Sequence, residues 1–119
     1  MREIIFYKTA NNKIPIEEFL ESLSDKQAEK ILWVLRLIKQ LDRIPVEFFK
    51  KLESTDDIWE VRAGSGNNEF RLLGFWHKSN LIVLTNGFRK KSQKAPKTEI
   101  KLAESRKKKF FRKELKWMI

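Results

Sequence analysis

The sequence predicts an α+β fold in which an N-terminal helical hairpin packs on a small antiparallel sheet and a basic helix follows at the C-terminus. Three observations support this. Apolar residues recur at helical spacing between residues 15 and 41, β-branched and aromatic residues cluster between residues 58 and 88, and positive charge is concentrated after residue 88. A chain of 119 residues is long enough for one domain with its own core. We expect one domain over residues 1–119, with a basic extension from about residue 107.

Two adjacent helices are predicted after a first strand at residues 3–7. Pro15 stands where a helix can begin without losing a useful N–H, and the apolar residues that follow have the spacing of an amphipathic helix. Ser24 and Gln27 form a capping box that begins a second helix, and Pro45 is expected to end it. Helices joined this tightly should form an antiparallel hairpin.

Three further strands are predicted at residues 58–62, 69–76 and 80–88, joined by short turns. Strands so close in sequence should pair antiparallel, because a parallel crossover needs a dozen or more residues. The middle strand is apolar on both faces, at Leu72, Leu73, Phe75 and Trp76. We therefore expect the helical hairpin to cover one face and the C-terminal segment to cover part of the other. That segment opens at Pro96, and its helix is predicted to extend to about residue 109.

The net charge of +10 lies entirely in the last 31 residues. Residues 89–119 contain 13 Lys or Arg and 3 Asp or Glu, whereas residues 1–88 contain 13 of each sign. A basic segment behind a neutral, apolar body is typical of a protein that binds a polyanion, most often a nucleic acid.

Composition excludes several classes of site and location. The chain has no Cys and one His, which excludes Cys/His zinc sites, thiol nucleophiles and histidine-centred triads. No metal and no cofactor is expected: Asp56, Asp57, Glu60 and Glu69 lie in a loop and on strand rims and do not predict a two-metal site. His77 is predicted to be an exposed turn residue. The apolar runs are too short for a secretory or membrane segment, so we expect a soluble cytoplasmic protein.

Arginines on different strands form the first candidate site. Arg62 and Arg71 flank the glycine-rich turn, and Arg89 follows Gly87 at the end of the last strand. Antiparallel pairing would bring the three guanidiniums to one surface, where their forked donors match the oxygens of a phosphodiester. The alternative is a solvated charged rim.

Arginine and lysine can support RNA cleavage because RNA supplies its own nucleophile, the 2′-hydroxyl. The protein must align that hydroxyl with phosphorus and stabilise the charge that develops on the phosphoryl oxygens. Lys90 and Lys91 stand beside Arg89, where neighbouring cations would make a lysine a better base. Glu60, two residues before Arg62 on the same strand face, is a second candidate base.

A second basic cluster lies near the C-terminus. It is more typical of a solvated tail that binds the backbone of any nucleic acid than of a catalytic site. The residues predicted to bind RNA are Lys94, Lys97, Arg106, Lys107, Lys108 and Lys109.

Four segments resemble, in order and spacing, the RelE/ParE superfamily of toxin–antitoxin toxins, and most closely its HigB-like, phage-derived subgroup. They are residues 48–52, 58–62, 70–73 and 86–100, and the last carries the most specific motif, Gly87-Phe88-Arg89-Lys90-Lys91-Ser92-Gln93-Lys94-Ala95-Pro96. The resemblance implies a ribosome-dependent endoribonuclease that cuts mRNA without metal and is neutralised by a helix-turn-helix antitoxin.

The resemblance also implies which residues act. The family's arginines fall on Arg62 and Arg71, its basic residue after the glycine strand on Arg89, and its following lysines on Lys90, Lys91 and Lys94. The late tyrosine of RelE toxins and the late histidine of many HigB toxins have no counterpart. Two alternatives remain open: an RNA- or ribosome-binding module without catalysis, and a ParE-like inhibitor of DNA gyrase.

Overall fold

The computed structural model describes residues 1–116, which form a five-stranded sheet and three helices. The strands are β1 (Glu3–Phe6), β2 (Phe49–Lys51), β3 (Trp59–Ser65), β4 (Asn68–His77) and β5 (Leu81–Lys90). The helices are α1 (Pro15–Glu21), α2 (Asp25–Gln40) and α3 (Lys97–Lys116). The strand order across the sheet is β1-β5-β4-β3-β2. In residues 1–116, no helix is long and apolar enough to span a membrane.

The predicted fold class is wrong in two respects. The sheet is mixed and not antiparallel, because β1 pairs parallel with β5, in the register Glu3↔Leu81 to Phe6↔Leu84. The first strand predicted at residues 3–7 is present as β1, and α1 and α2 follow it, so the helical hairpin is not N-terminal as the fold class stated. The physical reason is that Ile4 and Phe6 pack against the main core from the edge beside β5, a partner at the far end of the chain that local pattern does not reveal.

Local sequence explains where α1 and α2 begin. Pro15 is the first residue of α1. The predicted capping box is present at α2: the Ser24 hydroxyl accepts from the Gln27 N–H, and the Gln27 side chain accepts from the Ser24 N–H. The helix ends at Gln40, so Pro45 lies beyond its end and does not terminate it.

Each face of the sheet has its own core, as the apolar character of β4 predicted. The main core lies between the sheet and helices α1 and α2, where Ile31, Val34 and Ile38 of α2 are fully buried against Phe70 and other strand residues. A smaller core lies under α3 and consists of Ile58, Leu73, Phe88 and Ala103. Side chains that alternate along β3, β4 and β5 therefore face either α1 and α2 or α3.

The prediction that the last helix ends near residue 109 is wrong, because α3 continues to Lys116. Phe110 and Phe111 both pack on Phe75, with ring centroids 5.4 and 5.5 Å away. His77 is likewise not an exposed turn residue. It is buried against the same two rings, and its Nε2 lies 2.6 Å from Oε2 of Glu114.

Candidate active site and nucleic-acid interface

Four charged residues meet at one end of the sheet, on the α3 face but beyond the start of that helix. We call Glu60, Arg62, Arg71 and Lys90 the Glu60 cluster. The β3–β4 register sets Arg62 directly opposite Arg71, and the β4–β5 register sets Lys90 opposite Glu69, two residues before Arg71. Antiparallel pairing of three successive strands thus brings the cluster together.

Glu60 is the centre of the cluster. Its Oε1 lies 3.5 Å from Nε of Arg62 and 3.8 Å from Nε of Arg71. The Arg71 side chain is only 3% exposed, whereas that of Arg62 is 32% exposed. Arg71 therefore supplies positive charge from beneath the surface, and Arg62 presents its guanidinium to solvent.

The two guanidiniums are incompletely satisfied by the protein. Nη1 of Arg71 donates to the carbonyl oxygen of Phe70 at 2.9 Å and to Oε1 of Glu69 at 3.2 Å. In contrast, the Nε atoms of Arg62 and Arg71 are buried and have no hydrogen-bond acceptor, because their contacts with Glu60 have poor geometry. The Glu60 carboxylate therefore faces both Nε atoms without a hydrogen bond to either, and the part of the Arg62 guanidinium that reaches solvent is available to an external anion.

Lys90 is chemically distinct from the arginines. Burial lowers the pKa of the Lys90 ammonium below its ordinary value, and the positive charges of Arg71 and Arg62 lower that pKa further. The negative charge of Glu60 acts in the opposite direction. Lys90 therefore loses its proton more readily than an exposed lysine, and it stands beside two fixed guanidiniums. A phosphate-binding surface with an adjacent amine of lowered pKa is suited to proton transfer.

Arg89 does not join the other two arginines. Its guanidinium lies 5.6 Å from the centroid of the Phe70 ring, which belongs to the core on the α1 and α2 face. The reason is strand alternation: Arg89 pairs with Phe70, whereas Arg71 pairs with Phe88. The expectation that Arg62, Arg71 and Arg89 share one surface therefore holds only for the first two.

The remaining predicted residues around β5 are exposed and lie outside the cluster. Lys91 follows the last residue of β5, Lys94 lies in the loop before α3, and Lys97 is the first residue of α3. They extend positive surface from the Glu60 cluster towards α3.

A cavity of about 310 Å³ lies beside Arg62, between α2 and the open edge of β3. Sequence reasoning did not predict three of its lining residues: Lys30, Glu47 and Phe48. Lys30 could not be identified as a cavity residue from the sequence, because a polar residue outside the apolar stripe of α2 carries no sign of what it lies next to. Arg62 and Glu69 also line this cavity, at the edge of the sheet.

The four cations predicted at residues 106–109 have two different environments. Arg106 donates to the Thr85 carbonyl oxygen at 2.9 Å and lies 5.9 Å from the Tyr7 ring centroid. Lys107 donates to the Asp56 carbonyl oxygen at 2.6 Å. Both therefore attach α3 to the body of the protein, whereas Lys108 and Lys109 are exposed.

The acidic residues considered as metal ligands are occupied by cations. Asp56 and Asp57 pair with Lys107 and Lys51, and Glu60 and Glu69 pair with the arginines. Across the described residues 1–116, no three His, Cys, Asp or Glu side chains are grouped as a metal site would require.

The sequence was compared with models of known protein families. Residues 18–108 match the family described as "Phage derived protein Gp49-like (DUF891)". The chain belongs to this Gp49-like family. The match contains α2, all of β2 to β5 and the whole Glu60 cluster, and it ends within α3.

The Gp49-like family is RelE-like and is associated with toxin–antitoxin systems, which supports a toxin role and an antitoxin partner. No curated protein matches the chain in sequence. The Gp49-like match leaves residues 1–17 and 109–119 outside it, so β1 and the C-terminal part of α3 lie outside the matched region.

Proposed function

We propose that this Gp49-like protein is the HigB-like toxin of a type II toxin–antitoxin system and cleaves mRNA on the ribosome without a metal ion. It would act as a single domain in the cytoplasm and be neutralised by a helix-turn-helix antitoxin. The observation that supports the proposal most directly is that the partly exposed guanidinium of Arg62 and the buried guanidinium of Arg71 lie together beside Lys90, whose pKa is lowered. A phosphodiester oxygen is an acceptor of the required charge.

Arg62 is proposed to contact the scissile phosphate. Its side chain is the more exposed of the two cluster arginines, and its forked donors match two oxygens of one phosphoryl group. As the 2′-oxygen forms a bond to phosphorus, negative charge increases on the oxygens that Arg62 holds. Donors fixed in advance of that change stabilise the transition state more than the ground state.

Lys90 is proposed to move the proton. Its neutral amine accepts the proton of the 2′-hydroxyl while the 2′-oxygen attacks phosphorus and the bond from phosphorus to the 5′-oxygen breaks. The departing 5′-oxygen takes its proton from solvent, and the products are a 2′,3′-cyclic phosphate and a 5′-hydroxyl. Arg71 assists as a positioning residue, because its charge lowers the pKa of Lys90.

Glu60 is assigned a positioning role, although it was also considered as a base. Its side chain is 7% exposed, and its carboxylate lies between the two guanidiniums, where it offsets their mutual repulsion. Lys91, Lys94, Lys97 and Arg89 are proposed to contact the RNA backbone around the site.

The test is cleavage of a defined mRNA by the purified protein, with and without translating ribosomes. We expect fragments with 2′,3′-cyclic phosphate ends only when ribosomes translate the message. Arg62→Gln is compared with a matched control, Arg36→Gln, which removes an exposed arginine of α2 that is not part of the cluster.

Each other result has a definite meaning. Full-length message in the presence of ribosome-bound protein refutes cleavage and favours a binding module. Loss of gyrase supercoiling with intact message favours the ParE-like alternative. Cleavage without ribosomes refutes ribosome dependence.

A further inference from the structure

The charges of α3 are sorted between its two sides. Its three carboxylates all bond to the body of the protein. Glu99 accepts from Asn86 Nδ2 at 3.0 Å, Glu104 accepts from the Asp56 N–H at 2.8 Å, and Oε2 of Glu114 lies 2.6 Å from Nε2 of His77. The outward side of α3 therefore has no acidic residue to neutralise its cations.

Most of the cations of α3 are exposed on its outward side. α3 contains nine Lys or Arg, of which Arg106 and Lys107 bond to the body. The other seven are exposed: Lys97, Lys101, Lys108, Lys109, Arg112, Lys113 and Lys116. Five of them are separated by four or seven residues along the helix and therefore lie on one stripe. We call these five, Lys97, Lys101, Lys108, Arg112 and Lys116, the α3 stripe.

From this segregation we infer that the α3 stripe binds the phosphate backbone of double-helical RNA, at a surface separate from the Glu60 cluster. The identity of the polyanion as RNA rests on the proposed function, whereas the binding surface rests on the charges of α3. At about 1.5 Å per residue, the stripe is about 28 Å long. It is thus a straight, rigid row of cations that can follow several phosphates.

The environment of α3 favours a duplex over a single strand. Proteins that bind single strands combine cations with aromatic side chains on which bases stack, but Phe110 and Phe111 of α3 both face the sheet. Between Lys97 and Lys116 the exposed side therefore offers charge without an aromatic platform. Duplex RNA is recognised mostly through shape and phosphate contacts, which such a side provides.

A membrane surface fits less well than RNA. An interfacial helix buries its apolar side in lipid, but the apolar side of α3 is already packed on the sheet through Ala103, Phe110 and Phe111. Leu102 and Leu115 are the large apolar residues exposed on α3 between Lys97 and Lys116. Two isolated leucines do not form an inserting face.

The experiment is fluorescence anisotropy of the full-length protein, without ribosomes, on an RNA duplex of about 16 base pairs. The stripe variant combines Lys108→Gln, Arg112→Gln and Lys116→Gln. The control combines Lys13→Gln, Lys26→Gln and Arg36→Gln, which removes the same charges from exposed positions near α1 and α2.

We expect the stripe variant to bind the duplex at least roughly tenfold more weakly at about 0.1 M salt, and its log–log salt slope to fall by about three. The control should bind as the wild-type protein does. Equal losses in both variants would show that only net charge matters and would overturn the inference. If the stripe variant bound the duplex as tightly as the wild-type protein does, the inference would also be overturned. That result would point to an acidic protein as the partner of the α3 stripe.

Two further probes fix the class of ligand. If single-stranded RNA binds as tightly as the RNA duplex, the assignment to a duplex is overturned. If a DNA duplex binds more tightly than the RNA duplex, the assignment to RNA is overturned. Cleavage of mRNA on ribosomes is measured separately on the same proteins. Intact cleavage without duplex binding refutes this inference alone, and duplex binding without cleavage refutes the proposed function alone.

Discussion

Replacing Arg62 with Gln separates a role in catalysis from a role in folding. If Arg62 holds a phosphoryl oxygen in the transition state, the variant loses one charged donor, which typically costs about 2.7–4 kcal/mol, or about 10²–10³ in rate. The expected cost in stability is much smaller. Arg62 is one-third exposed and its 3.5 Å contact with Glu60 lacks hydrogen-bond geometry, so its loss should lower the free energy of unfolding by less than about 1 kcal/mol.

Arg71→Gln provides the contrast. Arg71 is 3% exposed and pairs with both Glu60 and Glu69, and removing one partner of a buried ion pair typically costs about 3–5 kcal/mol of stability. The rate is measured as single-turnover cleavage of ribosome-bound message, and stability by urea unfolding at pH 7. The reasoning about Arg62 is refuted if its variant cleaves within threefold of the wild-type rate, or if its loss of stability equals that of Arg71→Gln.

Two other predictions concern Lys90 and Gly74. If neutral Lys90 is the base, the cleavage rate of the wild-type protein should rise with pH and level off below about pH 10.4. The Lys90→Gln variant should lack that rise. An unchanged dependence of the rate on pH in the variant contradicts the assignment of Lys90 as the base. Because the folded state lowers the pKa of Lys90, the unfolded state binds more protons between the two pKa values and stability rises with pH there. Lys90→Gln should therefore not lower the unfolding free energy at pH 7, and should remove that alkaline rise. At Gly74 an added Cβ would clash with the Val83 carbonyl oxygen, so Gly74→Ala should cost about 1–3 kcal/mol or more in urea unfolding. A loss within about 0.5 kcal/mol of zero would show that the bulge between Leu73 and Gly74 adapts to the added methyl group.

Patterns confined to neighbouring residues predicted structure well. The Ser24 capping box lies where the sequence indicates it, and three predicted strands correspond to β3, β4 and β5 with ends shifted by a few residues. Strand β2 was missed, because three residues are too few to show a period. The parallel pairing of β1 was missed because it depends on a partner from the opposite end of the chain.

In the candidate site, too, features set by neighbouring residues could be predicted and features set by distant residues could not. Arg62 and Arg71 could be expected to meet, since a short turn joins their strands and sets them opposite each other. The face of Arg89 depends on the register of β4 with β5, and a shift of one residue exchanges the two faces of a strand. The burial of His77 was equally hidden, because it depends on where α3 lies against the end of β4.

The packing of Phe110 and Phe111 on Phe75 bears on how this protein is shortened for experiments. The Gp49-like match stops at residue 108, and a chain cut there would lose both aromatic rings together with Glu114. Phe75, which is fully buried in the intact protein, would then face water, and so would the imidazole of His77. Such a truncated protein should aggregate or bind hydrophobic dyes even though it keeps every residue of the family pattern.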